Sequence, residues 1–214
     1  MSNACCKLLC SIVVAFLCAG VATAQDTTIS GPLAAHPDNP VVLPPPPVYT
    51  NCGVGCTHWG NKAYYISGTA ATEAPGQTIA VEFTWKGTQK LTKVIEANLM
   101  FSGAGPIGAA ILRDENGKPG AVLTTLKTKA SCPGTANQPC TYKPPKPVAV
   151  KAGTKLWLCQ YALKTADEGG WDESVKDQSN AGNFYYNREG TCSTSPSNWL
   201  DQGSDYLRPA FEID

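Results

Sequence analysis

A chain of 214 residues with 17 Lys and Arg against 17 Asp and Glu carries no net charge, so nothing general draws it to nucleic acid or an anionic membrane. Its length is enough for one domain with a buried core. Of its ten cysteines, four (Cys5, Cys6, Cys10 and Cys18) fall within the first 24 residues.

The chain opens "MSNACCKLLCSIVVAFLCAGVATAQ", with Lys7 ahead of an apolar stretch from Leu8 to Val21 and small residues at Ala22 and Ala24. This is the order of a secretory signal ending in an A-x-A site, so residues 1–24 are expected to be removed. The stretch of about 14 residues is shorter than the roughly 20 that span a bilayer, and no later stretch is a transmembrane segment. Cys18 follows the bulky Leu17, which argues against a lipoprotein signal. The expected location is secreted, either extracellular or periplasmic.

Cleavage leaves Cys52, Cys56, Cys132, Cys140, Cys159 and Cys192, an even set that points to disulfides. Six cysteines allow many pairings. Proximity suggests Cys52 with Cys56 and Cys132 with Cys140, leaving Cys159 with Cys192. Residues 25–50 are rich in proline, with "LPPPPV" near the end, and read as an extended polyproline spacer. Residues 51–214 then form a single domain.

Strand patterns separated by turn residues fill that domain. "AYYIS" and "TIAVEFTW" come first, the second with Ile79, Val81, Phe83 and Trp85 on one face. "KVIEANLMF", "GAAILR", "AVLTTLK" and "PVAVK" follow. "KLWLCQYAL" is apolar on both faces, as in a central covered strand, which places Trp157 in the core. "NFYYN" and "PAFEI" close the series. Many short strands with Gly and Pro between them predict an all-β fold, an antiparallel β-sandwich or jelly roll.

Between two of these strands lies "RDENGKPG". It lacks the Gly-Lys-Ser/Thr of a phosphate loop, and an EF-hand register would place Lys118 and Thr125 where oxygen donors belong. Asn-Gly supplies the positive-φ pair of a tight hairpin, so the stretch reads as a hairpin tip. A looser calcium site would use Asp114 and Asn116, with Glu115 beside them. No other cofactor is implied.

The order "AAILRDENGKPGAVL", "PVAVKAGTKLWLCQYA", the tryptophan of "SNWL" and the closing "PAFEI" resembles the choice-of-anchor domains of secreted bacterial proteins, over roughly residues 75–214. That resemblance implies export and a galactose-binding-like jelly roll.

Catalytic sets are sparse. Cys52, Cys56 and His58 are close enough to share a zinc ion, but the other histidine of residues 25–214, His36, lies in the spacer. No G-x-S-x-G elbow accompanies a serine. "ADEGGWDESVKDQ" holds Asp167, Glu168, Asp172 and Glu173 around Trp171, enough for paired-carboxylate glycoside cleavage, although an acidic run with paired glycines reads first as a solvated loop. Aromatic faces bind sugars, and Trp171, Asp172, Tyr185 and Trp199 are the candidate contact residues, with Trp171 expected to be exposed. The chain is thus expected to be a secreted, non-catalytic module for extracellular or cell-surface interaction. The alternatives are a carbohydrate-binding module, calcium-assisted through Asp114, and a glycosidase-like enzyme. A glycan or cell-surface polymer is the expected partner.

Overall fold

Rows of β-branched and aromatic side chains favour extended backbone where one row can be buried, and twelve strands form among the described residues. The computed structural model describes residues 46–60, 62–72, 74–100, 107–128, 138–174, 182–203 and 206–214. The strands are β1 (Tyr49–Thr50), β2 (Ala63–Ser67), β3 (Thr78–Thr84), β4 (Val94–Met100), β5 (Ile107–Glu115), β6 (Lys118–Leu126), β7 (Gln138–Tyr142), β8 (Lys155–Ala162), β9 (Glu168–Asp172), β10 (Phe184–Asn187), β11 (Leu200–Asp201) and β12 (Phe211–Ile213). A 3-10 turn, Pro196–Asn198, precedes β11. No helix among the described residues is long and apolar enough to cross a membrane.

The strands build two antiparallel sheets, β1-β12-β4-β9-β2 with β7 also on β4, and β11-β10-β3-β8-β5-β6. The fold is the all-β antiparallel sandwich that the strand pattern predicts. Ile79, Val81 and Phe83 of β3 enter the core between the sheets, followed by Trp85. β8 lies between β3 and β5, so both its edges are paired, and both its faces are covered. Leu156 and Leu158 join the inter-sheet core, while Trp157 and Cys159 join a second apolar layer on the opposite face. Ile95 and Ala97 of β4 likewise face away from the core, under the Cys52–Cys56 loop and Trp59.

Several boundaries differ from the sequence reading. The proline-rich segment gives way to sheet before residue 50, because Tyr49 pairs with Ile213 and stacks on Phe211 at 4.8 Å. Residues 1–45, with the signal and most of the spacer, lie outside the described residues. "PVAVK" forms no strand. Val148 alone pairs, with Leu91, and the nearby Pro144, Pro145 and Pro147 cannot donate to a ladder. β7 arises in "QPCTY", where Pro139 hides the pattern but is tolerated on an edge strand. β9 arises in "EGGWD" and is a correction to the solvated-loop reading.

Cys52–Cys56 and Cys159–Cys192 are disulfides, with Cα atoms 4.7 and 6.1 Å apart. Cys140 is also disulfide-bonded, whereas Cys132 lies outside the described residues. The zinc reading fails because the Cys52 and Cys56 sulfurs bond each other and offer no thiolates. "RDENGKPG" is the hairpin tip between β5 and β6, with Asn116 at φ 56° and Gly117 at φ 78°, the positive pair a tight turn requires.

Candidate functional site

The acidic stretch is where the structure departs furthest from expectation. As part of β9, Trp171 pairs with Tyr64 of β2 and Asn98 of β4, and its alternation sends the indole into the inter-sheet core. Trp171 is fully buried. Its Nε1 donates to the Ala210 carbonyl at 2.9 Å, and its ring lies 6.0 Å from that of Phe211. An indole so enclosed presents no face to a ligand, which corrects its expected exposure. Asp172 leaves the strand on the other face and is also buried. Burial, then the nearby charge of Glu173, pushes its carboxyl up to about 7.

The remaining acids of the stretch separate. Asp167 accepts from the Lys164 amide at 2.9 Å and closes the turn before β9, while Glu168 accepts from the Thr72 amide at 3.3 Å. Glu173 reaches a surface cleft of about 380 Å³ lined by Lys62, Ala63, Tyr64, Glu173, Tyr206 and Leu207. Three segments build this cleft by main-chain pairing. The Gly60 amide donates to the Glu173 carbonyl at 2.8 Å, the Glu173 amide donates to the Lys62 carbonyl at 3.0 Å, and Glu173 bridges to Pro209. Gly60 lets Glu173 lie close, since a Cβ there would lie 2.6 Å from Glu173 Cγ and Oε1 and would push that side chain aside.

Tyr64 forms the inner wall. Its ring meets Phe184 edge-on at 4.8 Å, and its hydroxyl donates to the Leu207 carbonyl. Burial, then Glu173, raises this phenol to about 12, so it stays a neutral donor. Tyr206, 52% exposed, offers a ring to solvent. The cleft therefore combines a stacking face, an ammonium, a carboxylate and a phenol, a set suited to a hydroxyl-rich ligand. Asp172 is not in its lining, so Glu173 is its single carboxylate among the described residues. Sequence reasoning missed Tyr206 and Lys62, which carry no local pattern.

Tyr185 and Trp199 lie elsewhere, on the outer face of the other sheet. Trp199 is buried there with Trp157 and the Cys159–Cys192 bridge, a second correction to the contact set. Tyr185 is half-buried and meets Trp157 edge-on at 5.4 Å. The four candidate contact residues thus divide between the two sheets.

The calcium candidates serve the hairpin. Asp114 Oδ1 accepts from Trp157 Nε1 at 2.9 Å and Oδ2 from the Gly117 amide at 3.1 Å. Glu115 accepts from the Ala121 amide at 2.9 Å, and Asn116 supplies the turn's first positive φ. No group of three or more His, Cys, Asp or Glu side chains converges among the described residues.

The class the fold and cleft define is an all-β sandwich with a small polar and aromatic surface site. No family model, curated protein or solved structure matches the chain.

Proposed function

We propose that this chain is an exported, non-catalytic β-sandwich module that engages a partner outside the cytoplasm. The observation that carries the reading is the dispersal of the acidic stretch. Of its four described carboxylates, Glu173 lines a cleft, Asp172 is buried on a sheet face, and Asp167 and Glu168 hold the backbone of turns. Acid–base cleavage of a glycoside needs two carboxyl groups facing one bond. The secretory leader, the disulfides and the likeness to choice-of-anchor domains support a working place outside the cell. Screening the processed chain against a broad panel of hydrolase substrates tests the reading: no turnover is expected, and turnover abolished by Glu173→Gln would overturn it.

A carbohydrate-binding role is the second reading, favoured by the exposed Tyr206 ring beside Glu173 and Lys62. It expects retention on an array of neutral glycans, lost in Tyr206→Ala. No retention across the array, with and without calcium, removes it.

A further inference from the structure

The balanced net charge conceals a segregation that only the topology produces. The β3–β4 connection, residues 85–93, carries Lys86, Lys90 and Lys93, and the β7–β8 connection, residues 143–154, carries Lys143, Lys146 and Lys151. Neither contains an Asp or a Glu. The two are far apart in sequence but stitched together. Trp85 and Thr154 bond at 2.9 Å, Gly153 and Trp85 at 2.8 Å, and Leu91 and Val148 exchange bonds of 2.9 and 3.0 Å. Lys127 joins them through two 2.8 Å bonds with Lys143, and Lys155 follows at the start of β8.

Two carboxylates answer these eight lysines by ion pairing among the described residues. Asp214 pairs with Lys93 at 2.5 Å, and Glu82 with Lys155 at 2.9 Å. Lys86, Lys90, Lys127, Lys143, Lys146 and Lys151 are exposed and have no ion-pair partner among the described residues. Between the two connections runs an open groove of about 680 Å³, with Lys90, Lys93 and Lys143 along it against the one carboxylate of Asp214, and with Pro46 and Pro147 at its walls. Like charges gathered this way repel one another and focus a positive potential on the groove.

We propose that this lysine seam binds an anionic polysaccharide, one carrying a negative charge on its repeating unit. The recognition chemistry follows from the side chains. Lysines are point charges on flexible stems, suited to a polymer with distributed charge, whereas a compact phosphate or carboxylate site favours the arginine fork. Among the described residues the groove lining holds no arginine and no aromatic ring, so it lacks the platform on which nucleic-acid bases stack. The groove shares no lining residue with the tyrosine cleft, so the two can bind independently. The inference rests on the reading of the chain as an extracellular interaction module and names a partner class for it.

Binding of the processed chain to polygalacturonate and to dextran sulfate, with uncharged dextran as reference, tests the seam. The expected result is binding to both polyanions that weakens roughly tenfold or more between about 50 and 200 mM salt. A combined Lys90→Gln, Lys143→Gln, Lys146→Gln and Lys151→Gln variant should lose it, while Lys118→Gln with Lys164→Gln should retain it. All are surface positions, and unchanged melting temperatures confirm that the fold survives. No polyanion binding, binding that the fourfold variant keeps, or tighter binding to single-stranded DNA or phosphatidylglycerol vesicles overturns the proposal. Those outcomes leave the hydrolase screen untouched, so failure of the seam and failure of the non-catalytic reading are told apart.

Discussion

Gln160 of one sheet donates its side-chain amide to the carboxylate of Glu96 on the other, joining the two layers through a polar contact inside the core. The same amide nitrogen reaches Asn98 Oδ1 at 2.7 Å, and Asn98 Nδ2 lies 3.2 Å from Glu96 Oε2 and 3.2 Å from the Tyr142 hydroxyl. All four residues are fully buried. Burial pushes Glu96 up to about 8, against the hydrogen bonds from Gln160 and Asn98 that lower it, and burial followed by the Glu96 charge raises the Tyr142 phenol. Glu96 Oε1 and Gln160 Oε1 have no hydrogen-bond partner among the described residues. A protonated Glu96 supplies a donor that an ionised one cannot.

Stability should therefore fall with rising pH. The folded-state value of Glu96 lies above the 4.5 of an unperturbed glutamate, so the folded protein holds this proton more tightly than the unfolded chain. The contribution is full below about 4.5 and is lost as pH climbs through about 8. Asp172 acts in the same direction between 3.8 and about 7. Urea denaturation at pH 5 and pH 9 should show a loss on the order of a few kcal/mol. Glu96→Gln should flatten most of the dependence above pH 7, and an unchanged slope would show that Glu96 does not carry it.

Trp171→Ala should damage the fold. Emptying a fully buried indole site typically costs about 3–5 kcal/mol, and the Ala210 carbonyl loses its donor as well. Trp171→Phe should cost less, since much of the volume remains. If either variant melts like the parent, the core position is wrong.

The two described disulfides should contribute unequally. Cys159–Cys192 spans 33 positions and Cys52–Cys56 spans 4, so loop-closure entropy gives about 4 and about 2 kcal/mol respectively. Paired Cys→Ala variants compared by chemical denaturation measure the difference.

At the β5–β6 hairpin, Gly117→Ala should cost about 1–2 kcal/mol by backbone conformation alone. A Cβ there would meet nothing within 4 Å, so no steric clash adds to it. Asp114→Ala should cost roughly 2–3 kcal/mol, because it frees both the Trp157 indole and the Gly117 amide. An Asp114→Ala variant as stable as the parent would remove the hairpin role assigned to that carboxylate.

The strands legible in the sequence were those whose local pattern matches their final burial. β8 is apolar on both faces, the β5–β6 turn announces itself in Asn-Gly, and the alternation of β3 marks Ile79, Val81 and Phe83 for the core although its other face is buried too. β7 and β9 were not legible. Pro139, Gly169 and Gly170 carry low strand propensity, and β9 is extended because β2 and β4 flank it with ladder partners. Sheet neighbours supply what propensity does not.

The candidate site divides along the same line. The residues flagged as a binding set were chosen by chemistry and nearness in sequence, yet strand alternation sends Trp171 inward and Asp172 outward. Tyr206 and Lys62 meet Glu173 only because separate segments pair. Residue order by itself determined the layered β architecture, the Asn-Gly turn and the Cys52–Cys56 bridge, since each rests on short-range periodicity, turn stereochemistry or proximity along the chain, whereas Cys159–Cys192 followed only by elimination. Tertiary structure alone decided which acids and rings reach solvent and how the lysines gather on one seam, because those depend on contacts between segments that no local pattern encodes.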